Sequence, residues 1–92
     1  MPRYLIEREF PDGLTIPQNA AGASAVREVI NNNASDGVTW LHSYVIPDRT
    51  RTYCIYDGPS PEAVRRAATR NKQPITQITE VRVLDPYFYM AN

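Results

Sequence analysis

The segment 38–57, VTWLHSYVIPDRTRTYCIYD, constrains the fold more than any other stretch of the chain. Two runs rich in Val, Ile, Tyr, Thr and Trp flank a Pro-Asp-Arg-Thr break at 47–50. Such runs favour strands and the break is typical of a turn, so the segment predicts a β-hairpin. The same segment holds the only Trp, His and Cys of the chain. Any site chemistry is therefore expected to start here.

The turn decides which hairpin residues share a face of the sheet, because side chains alternate along a strand. With a two-residue loop at Asp48 and Arg49, His42 lies opposite Ile55 and on the other face from Cys54. A three-residue loop would place His42 across from Cys54, where the two could share a metal. We favour the two-residue loop. It places Leu41, Ser43, Val45 and Cys54 under helices, and Trp40, His42, Tyr44, Tyr53 and Ile55 on the second face.

The chain length of 92 residues is that of one domain, spanning 1–92, with room for one modest core. Ten basic and ten acidic residues cancel, which leaves no overall field to attract nucleic acid or an anionic membrane. No apolar run reaches the roughly 20 residues of a membrane span, and the N-terminus lacks a signal-peptide apolar region. We therefore expect a cytoplasmic protein that binds neither nucleic acid nor membrane.

Strand and helix signals alternate around the hairpin. A strand signal covers 3–10, helical spacing of apolar residues covers 17–33 with Pro17 in the first turn, a capped helix start opens 60–73, and a last strand signal covers 75–84. The resulting order β-α-β-β-α-β is the ferredoxin-like plan. It is an α+β fold with a four-stranded antiparallel sheet and both helices on one face.

One face of such a sheet has no helix over it. Its apolar and aromatic residues need cover, and a second copy of the chain is the simplest source, so the sequence predicts a homodimer. The aromatic tail at 87–90 would expose a large apolar patch if left free. We expect it to pack on this subunit or on a partner, with a fifth strand as one arrangement.

Few side chains are candidates for chemistry. Glu7 is either part of a solvated strand end or a group that points into a pocket or a dimer interface. His42 is either a hydrogen-bonded structural residue or a functional one. Cys54 lies in a run of strand apolars, which favours a small buried side chain over a nucleophile. A single Cys also excludes an intramolecular disulfide.

Four segments together carry a resemblance to one bacterial family. They are IERE followed by Pro (6–11), WLHSYV (40–45), YCIY (53–56) and EVRVLDP (80–86). In these motifs the chain resembles the small proteins of domain-of-unknown-function family 4242, some of which are described as nickel-binding proteins. The resemblance covers nearly the whole chain. It implies a ferredoxin-like dimer, and at least one similar member binds nickel at the dimer surface.

Two positions depart from that family. Its members often carry a His in the second helix where this chain has Ala67, and a Gly before the Pro where this chain has Asn-Lys-Gln-Pro at 71–74. One metal ligand that the resemblance implies is therefore absent. The resemblance raises Glu7 and His42 as site residues, because both lie in the matched motifs.

These observations lead to three hypotheses. The first is a small non-catalytic dimer that binds a divalent transition metal such as nickel through His42 and Glu7. The second is a dimeric α+β barrel-type small-molecule-binding protein or enzyme, with a pocket over the helix-free sheet face and His42 or Glu7 as general acid or base. The residues expected to line that pocket are Trp40, Tyr44, Tyr53 and Ile55. The third is an interaction module whose aromatic face only dimerises. No motif identifies a substrate, and a non-catalytic role is favoured.

Overall fold

Residues 1–90 are the part of the chain that the computed structural model describes, and they form a small α+β fold of four strands and three helices. The elements are β1 (Arg3–Glu9), α1 (Ala20–Ala34), β2 (Thr39–Val45), β3 (Arg51–Asp57), α2 (Pro61–Arg70), β4 (Gln77–Val81) and α3 (Pro86–Met90). The first six alternate as the sequence predicted, whereas α3 is an added element. Within residues 1–90 no helix has the length and apolar character that crossing a membrane requires.

The four strands form one antiparallel sheet in the order β2-β3-β1-β4, with β1 and β3 at its centre. Alternate residues of these two strands are buried, and they form the covered face of the sheet. Its members are Tyr4, Ile6, Arg8, Thr52, Cys54 and Tyr56. The other residues of the same strands are half-exposed, apart from the exposed Glu9, and with two residues of β2 they form the open face. Its members are Arg3, Leu5, Glu7, Glu9, Arg51, Tyr53, Ile55, Asp57, His42 and Tyr44.

Helix α2 packs on the covered face through small residues. Its core residues Ala63, Val64 and Ala67 belong to the same buried cluster as Tyr4 and Ile6. Small side chains let a helix approach a sheet closely, so this short amphipathic helix can bury a continuous stripe. Ser60 caps it, because the Ser60 hydroxyl accepts a hydrogen bond from the Ala63 amide at 3.2 Å.

Helix α1 lies beside α2 and begins three residues later than the sequence predicted. The expectation that Pro17 occupies the first turn is wrong, because Asn19 is the N-cap and its Oδ1 accepts from the Gly22 amide at 3.1 Å. Pro17 instead folds back over the helix start. A Cβ at Gly22 would lie 1.7 Å from the Pro17 carbonyl oxygen, so only glycine permits this loop.

The hairpin pairing follows the predicted register. His42 lies opposite Ile55, Ser43 opposite Cys54 and Tyr44 opposite Tyr53. The connection is nonetheless longer than two residues: the Ile46 amide still donates to the Arg51 carbonyl at 3.2 Å, and the four residues 47–50 form the turn. The Asp48 carboxylate accepts from the amide and the hydroxyl of Thr50, at 2.9 and 2.6 Å, and this fixes the turn. The parity of the loop, and with it the face of each side chain, is the one expected.

A β-bulge in β2 overturns two of the face assignments. The register shifts between Trp40 and His42, so that Leu41 is the extra residue and Trp40 lies opposite Tyr56. Trp40 therefore belongs to the helix side of the sheet and not to the second face with His42. Leu41 was expected under the helices and is exposed instead.

The aromatic tail forms no fifth strand in the residues described. Strand β4 ends at Val81, and Asp85 begins α3, because its Oδ1 accepts from the Tyr87 amide at 3.0 Å. Tyr87, Phe88 and Tyr89 are 72–74% exposed. In a single chain these three side chains are therefore mostly open to solvent, which goes against close packing of the tail on its own subunit.

Candidate functional site

The open face presents two rows of side chains that run across the four strands. One row consists of His42, Ile55, Leu5 and Thr79. The next consists of Tyr44, Tyr53, Glu7 and Gln77. Leu5, Tyr53 and Ile55 lie with Glu7 in the middle of the face, and both candidate site residues lie in these rows.

His42 stands exposed on the edge strand β2. Its ring meets the ring of Tyr44 edge-on, with centroids 5.2 Å apart and an interplanar angle of 87°. Within residues 1–90 neither imidazole nitrogen has a hydrogen-bond partner. The tyrosine restricts the ring while both nitrogens stay open to solvent, as an imidazole that binds a metal requires.

Glu7 lies half-buried in the central strand β1, between Tyr53 of β3 and Gln77 of β4. Its Oε1 lies 3.9 Å from Arg51 Nη1, at the outer limit of an ion pair. The guanidinium binds Glu9 more closely, with 2.6 Å between Nη2 and Oε1. Glu7 therefore shares its cation with a second carboxylate and keeps capacity to accept other hydrogen bonds.

The structure does not bring His42 and Glu7 together within one chain. They occupy different rows and strands two positions apart in the sheet, which is about 10 Å between backbones. In the structure the Glu7 carboxylate lies toward Arg51, and the two side chains are not in contact within one subunit. No group of three or more His, Cys, Asp or Glu in the described part of the chain could hold a metal.

Two further positions supply packing rather than ligands. Cys54 is buried on the covered face, with its Sγ 3.6 Å from Thr52 Oγ1, which confirms the expectation of a small buried side chain. Ala67, where the resemblance implies a His, is buried against Tyr4 and Ile6 in the core cluster. The sheet separates Cys54 from His42, so these two cannot cooperate in one site.

The expected pocket over the open face loses one of its four residues. Tyr44, Tyr53 and Ile55 lie on that face, but Trp40 lies on the other side. There the Trp40 Nε1 donates to Ser43 Oγ at 2.8 Å, and its ring stacks with Tyr56 at 6.5 Å between centroids. Trp40 lines a cavity of about 100 Å³ on the covered face.

Sequence reasoning missed the charged residue at that cavity. Arg8 is only 3% exposed and its Cζ lies 5.5 Å from the centre of the Tyr56 ring. The signal was present in the sequence, since Arg8 is in phase with Tyr4 and Ile6 on β1 and strand alternation puts all three on one face. Burial raises the pKa of the Tyr56 hydroxyl, and the positive charge of Arg8 opposes that rise in part.

Comparison with known proteins gives a family and a fold. A family model described as nickel responsive protein SCO4226-like matches residues 4–81. The crystal structure of SCO4226 from Streptomyces coelicolor A3(2) is similar, with a TM-score of 0.72 and 22% sequence identity over 90% of this chain and 99% of that one. At this identity the likeness shows the fold alone. No curated protein matches the chain. The nickel-related resemblance is thus supported, while membership of the 4242 family stays a prediction.

Proposed function

Because the chain belongs to the SCO4226-like family of nickel responsive proteins, we propose that it is a non-catalytic homodimer that binds a divalent transition metal such as nickel through His42. One observation carries the proposal: His42 is exposed, has no hydrogen-bond partner within residues 1–90, and stands beside the uncovered apolar and aromatic residues of the open face. Imidazole suits nickel, zinc and cobalt alike, so the side chain fixes the class of metal and not its identity.

We also propose that the fold is ferredoxin-like. The succession of the first six elements and the central position of β1 and β3 support this assignment. In this arrangement α1 and α2 lie on one side, and the open face is left for a partner. The short helix α3 is then a C-terminal addition to the plan.

A second copy of the chain suits the open face because a two-fold axis pairs the same apolar patch with itself. Leu5, Tyr53 and Ile55 are half-exposed in one chain, and Tyr44 is 62% exposed. Packing two such faces removes these side chains from water, as in other sandwiches of two sheets. The dimer would be stabilised mainly by the two central rows.

A dimer also supplies ligands that one chain lacks. His42 stands on an edge strand, at the margin of the open face, where a facing sheet can bring side chains of the second copy close to the imidazole. Glu7 of the other copy is our candidate for the carboxylate ligand, since it keeps free acceptor capacity beside Arg51. The remaining positions on the metal would be filled by water.

Calorimetric titration of metal-free protein with nickel tests this proposal. We expect binding in the micromolar range or tighter, with whole-number stoichiometry per dimer, and its loss in His42→Ala because the chain has no other imidazole. Glu7→Gln keeps the shape of the side chain and should weaken binding. Glu28→Gln on α1 removes an exposed carboxylate away from the sheet and serves as the matched control. Undiminished binding by His42→Ala would overturn the assignment.

The competing function class, a small-molecule pocket over the open face, has less support. It retains Tyr44, Tyr53 and Ile55 as lining residues, but Trp40 lies on the opposite side of the sheet. Two packed sheet faces would also leave it little room. Absence of a dimer and of metal binding would make this class the favoured one.

A further inference from the structure

A cavity of about 100 Å³ lies on the covered face, away from the metal site proposed above. The sheet forms its floor, and residues of the loop between β1 and α1 close it from above. Ile16 and Val45, each 47% exposed, lie where the cavity meets solvent. A small molecule can therefore enter from outside without unfolding of the sheet.

The charge of Arg8 has no counterpart in this cavity. The side chain is 3% exposed, its Nε has no hydrogen-bond partner, and no carboxylate within residues 1–90 forms an ion pair with it. A guanidinium stays charged at every physiological pH. The Tyr56 side chain offers a cation–π contact at 5.5 Å and a hydroxyl within hydrogen-bonding reach of the guanidinium, and these neutral groups compensate a buried cation only in part. Within residues 1–90 Arg8 thus has no anionic partner.

The rest of the cavity wall is mostly apolar and aromatic. Phe10, Leu14 and Trp40 supply hydrophobic and aromatic surface, and Ser43, Thr52, Tyr56 and Gln73 add polar groups. The Gln73 amide can donate to a carboxylate through its Nε2. A buried cation, a donor and a largely apolar wall are together what a pocket for a small organic acid requires.

The size of the cavity limits the ligand. An engineered cavity of about 150 Å³ takes benzene with its six carbons, so by proportion a cavity of about 100 Å³ encloses about four non-hydrogen atoms, and the end of a longer chain would lie in the mouth between Ile16 and Val45. A carboxylate accepts two parallel hydrogen bonds from a guanidinium, which a spherical anion cannot do. We propose that this cavity binds a short-chain monocarboxylate of three or four carbons, with its carboxylate on Arg8 and its chain against Leu14 and Trp40.

The single Trp of the chain reports directly on this cavity, because Trp40 lines it. We would titrate the protein with butyrate and follow the fluorescence of Trp40. The expected result is a saturable change in the millimolar range or below, at least tenfold weaker in Arg8→Gln. Butyramide, a neutral molecule of the same shape, should give no such change. Arg65→Gln, on the exposed side of α2, should respond as the wild-type protein does.

Thermal melting in the presence of butyrate gives a second readout that does not depend on one variant. The melting temperature of the wild-type protein should rise with butyrate concentration, because a ligand that binds only the folded state stabilises it. Val45→Phe narrows the mouth and leaves Arg8 in place, and it should reduce that rise. Arg8→Gln should fold without ligand, since it removes an unpaired buried charge.

Several outcomes would overturn the proposal. An equal response to butyramide would show that the charge of Arg8 is not recognised. An equal response to chloride or inorganic phosphate would show a site for inorganic anions only. Undiminished butyrate binding by Arg8→Gln, or no saturable response of the wild-type protein, would remove the site altogether. None of these results bears on nickel binding, because His42 lies on the opposite face of the sheet.

Discussion

The two faces of the sheet differ in their exposure to solvent, although alternate residues of the same strands form both. On β1, Tyr4 and Ile6 are fully buried under α2, while their neighbours Leu5 and Glu7 stay half-exposed. The covered face holds the core and a small cavity, whereas the open face holds the exposed His42. A single chain therefore covers only one face of its sheet, and the apolar and aromatic residues of the other face stay in contact with water.

The largest contrast is expected from two neighbouring residues of β1. Ile6→Ala removes a fully buried side chain and should lower the free energy of unfolding by roughly 2 to 5 kcal/mol. Leu5→Ala on the open face should cost about 1 kcal/mol in dilute protein, because its side chain is half-exposed there. Urea unfolding measures both values. The cost of Leu5→Ala should grow with protein concentration if the open face dimerises.

Equal losses of unfolding free energy in Ile6→Ala and Leu5→Ala at low protein concentration would contradict the difference between the two faces. That result would mean that something within the single chain covers the open face as well as α2 covers the other. A cost of Leu5→Ala that does not depend on protein concentration would remove the support for a sheet-to-sheet dimer.

A smaller effect on the free energy of unfolding is expected from the titration of Tyr56 on the covered face. Burial raises the pKa of Tyr56 above its ordinary value near 10. The folded state therefore holds the phenolic proton more tightly, and this contribution to stability is fully present below pH 10 and lost as the pH rises through the raised pKa. Urea unfolding between pH 8 and about 11 should show that the free energy of unfolding falls more steeply with pH in the wild-type protein than in Tyr56→Phe.

Tyr53→Phe removes a half-exposed phenol from the open face of the same strand and controls for the loss of a hydroxyl. If the free energy of unfolding of Tyr56→Phe fell as steeply with pH as that of the wild-type protein, the buried environment of Tyr56 would be contradicted. Since both variants lie on β3, any general effect of the strand is shared by the two.

The smallest effect on folding, and a large one on assembly, is expected from Tyr44→Lys. Tyr44 is 62% exposed, so the substitution should change the free energy of unfolding of dilute protein by no more than about 0.5 kcal/mol. It places a charge in the proposed interface and should convert the dimer to a monomer in sedimentation equilibrium. Ile30→Lys, on the exposed side of α1, is the control and should remain dimeric. Sedimentation of the wild-type protein as a monomer would contradict the proposed dimer.

Much of the fold could be predicted because its signals are local. Ser60 followed by Pro61 begins α2 where the cap preferences place it. The register of the hairpin followed from the parity of its turn alone, so the faces of His42 and Cys54 were placed correctly. These inferences needed no knowledge of distant contacts.

The errors have tertiary causes. Nothing in the β2 sequence marks the bulge at Leu41, which turned Trp40 to the helix side. Pro17 looked like a helix start, but Gly22 lets the preceding loop fold over the helix instead. The sequence allowed a fifth strand in the aromatic tail as one arrangement, and the Asp85 side chain instead caps the short helix α3.

The candidate site was harder to predict than the fold, because the position of a residue along its own strand does not give its distance from residues on other strands. Glu7 and His42 were both placed on the open face from alternation alone, and the structure has them there. Their separation depends on the sheet order, which puts β3 between them. Within one chain the structure therefore shows no contact between the two side chains.

The most direct test of this account is anomalous diffraction at the nickel absorption edge from crystals grown with nickel. The account predicts an anomalous peak at the imidazole of His42, at the margin of two sheet faces packed against each other. A peak remote from His42, or a lattice in which the open face is bare and the imidazole carries no metal, would contradict it.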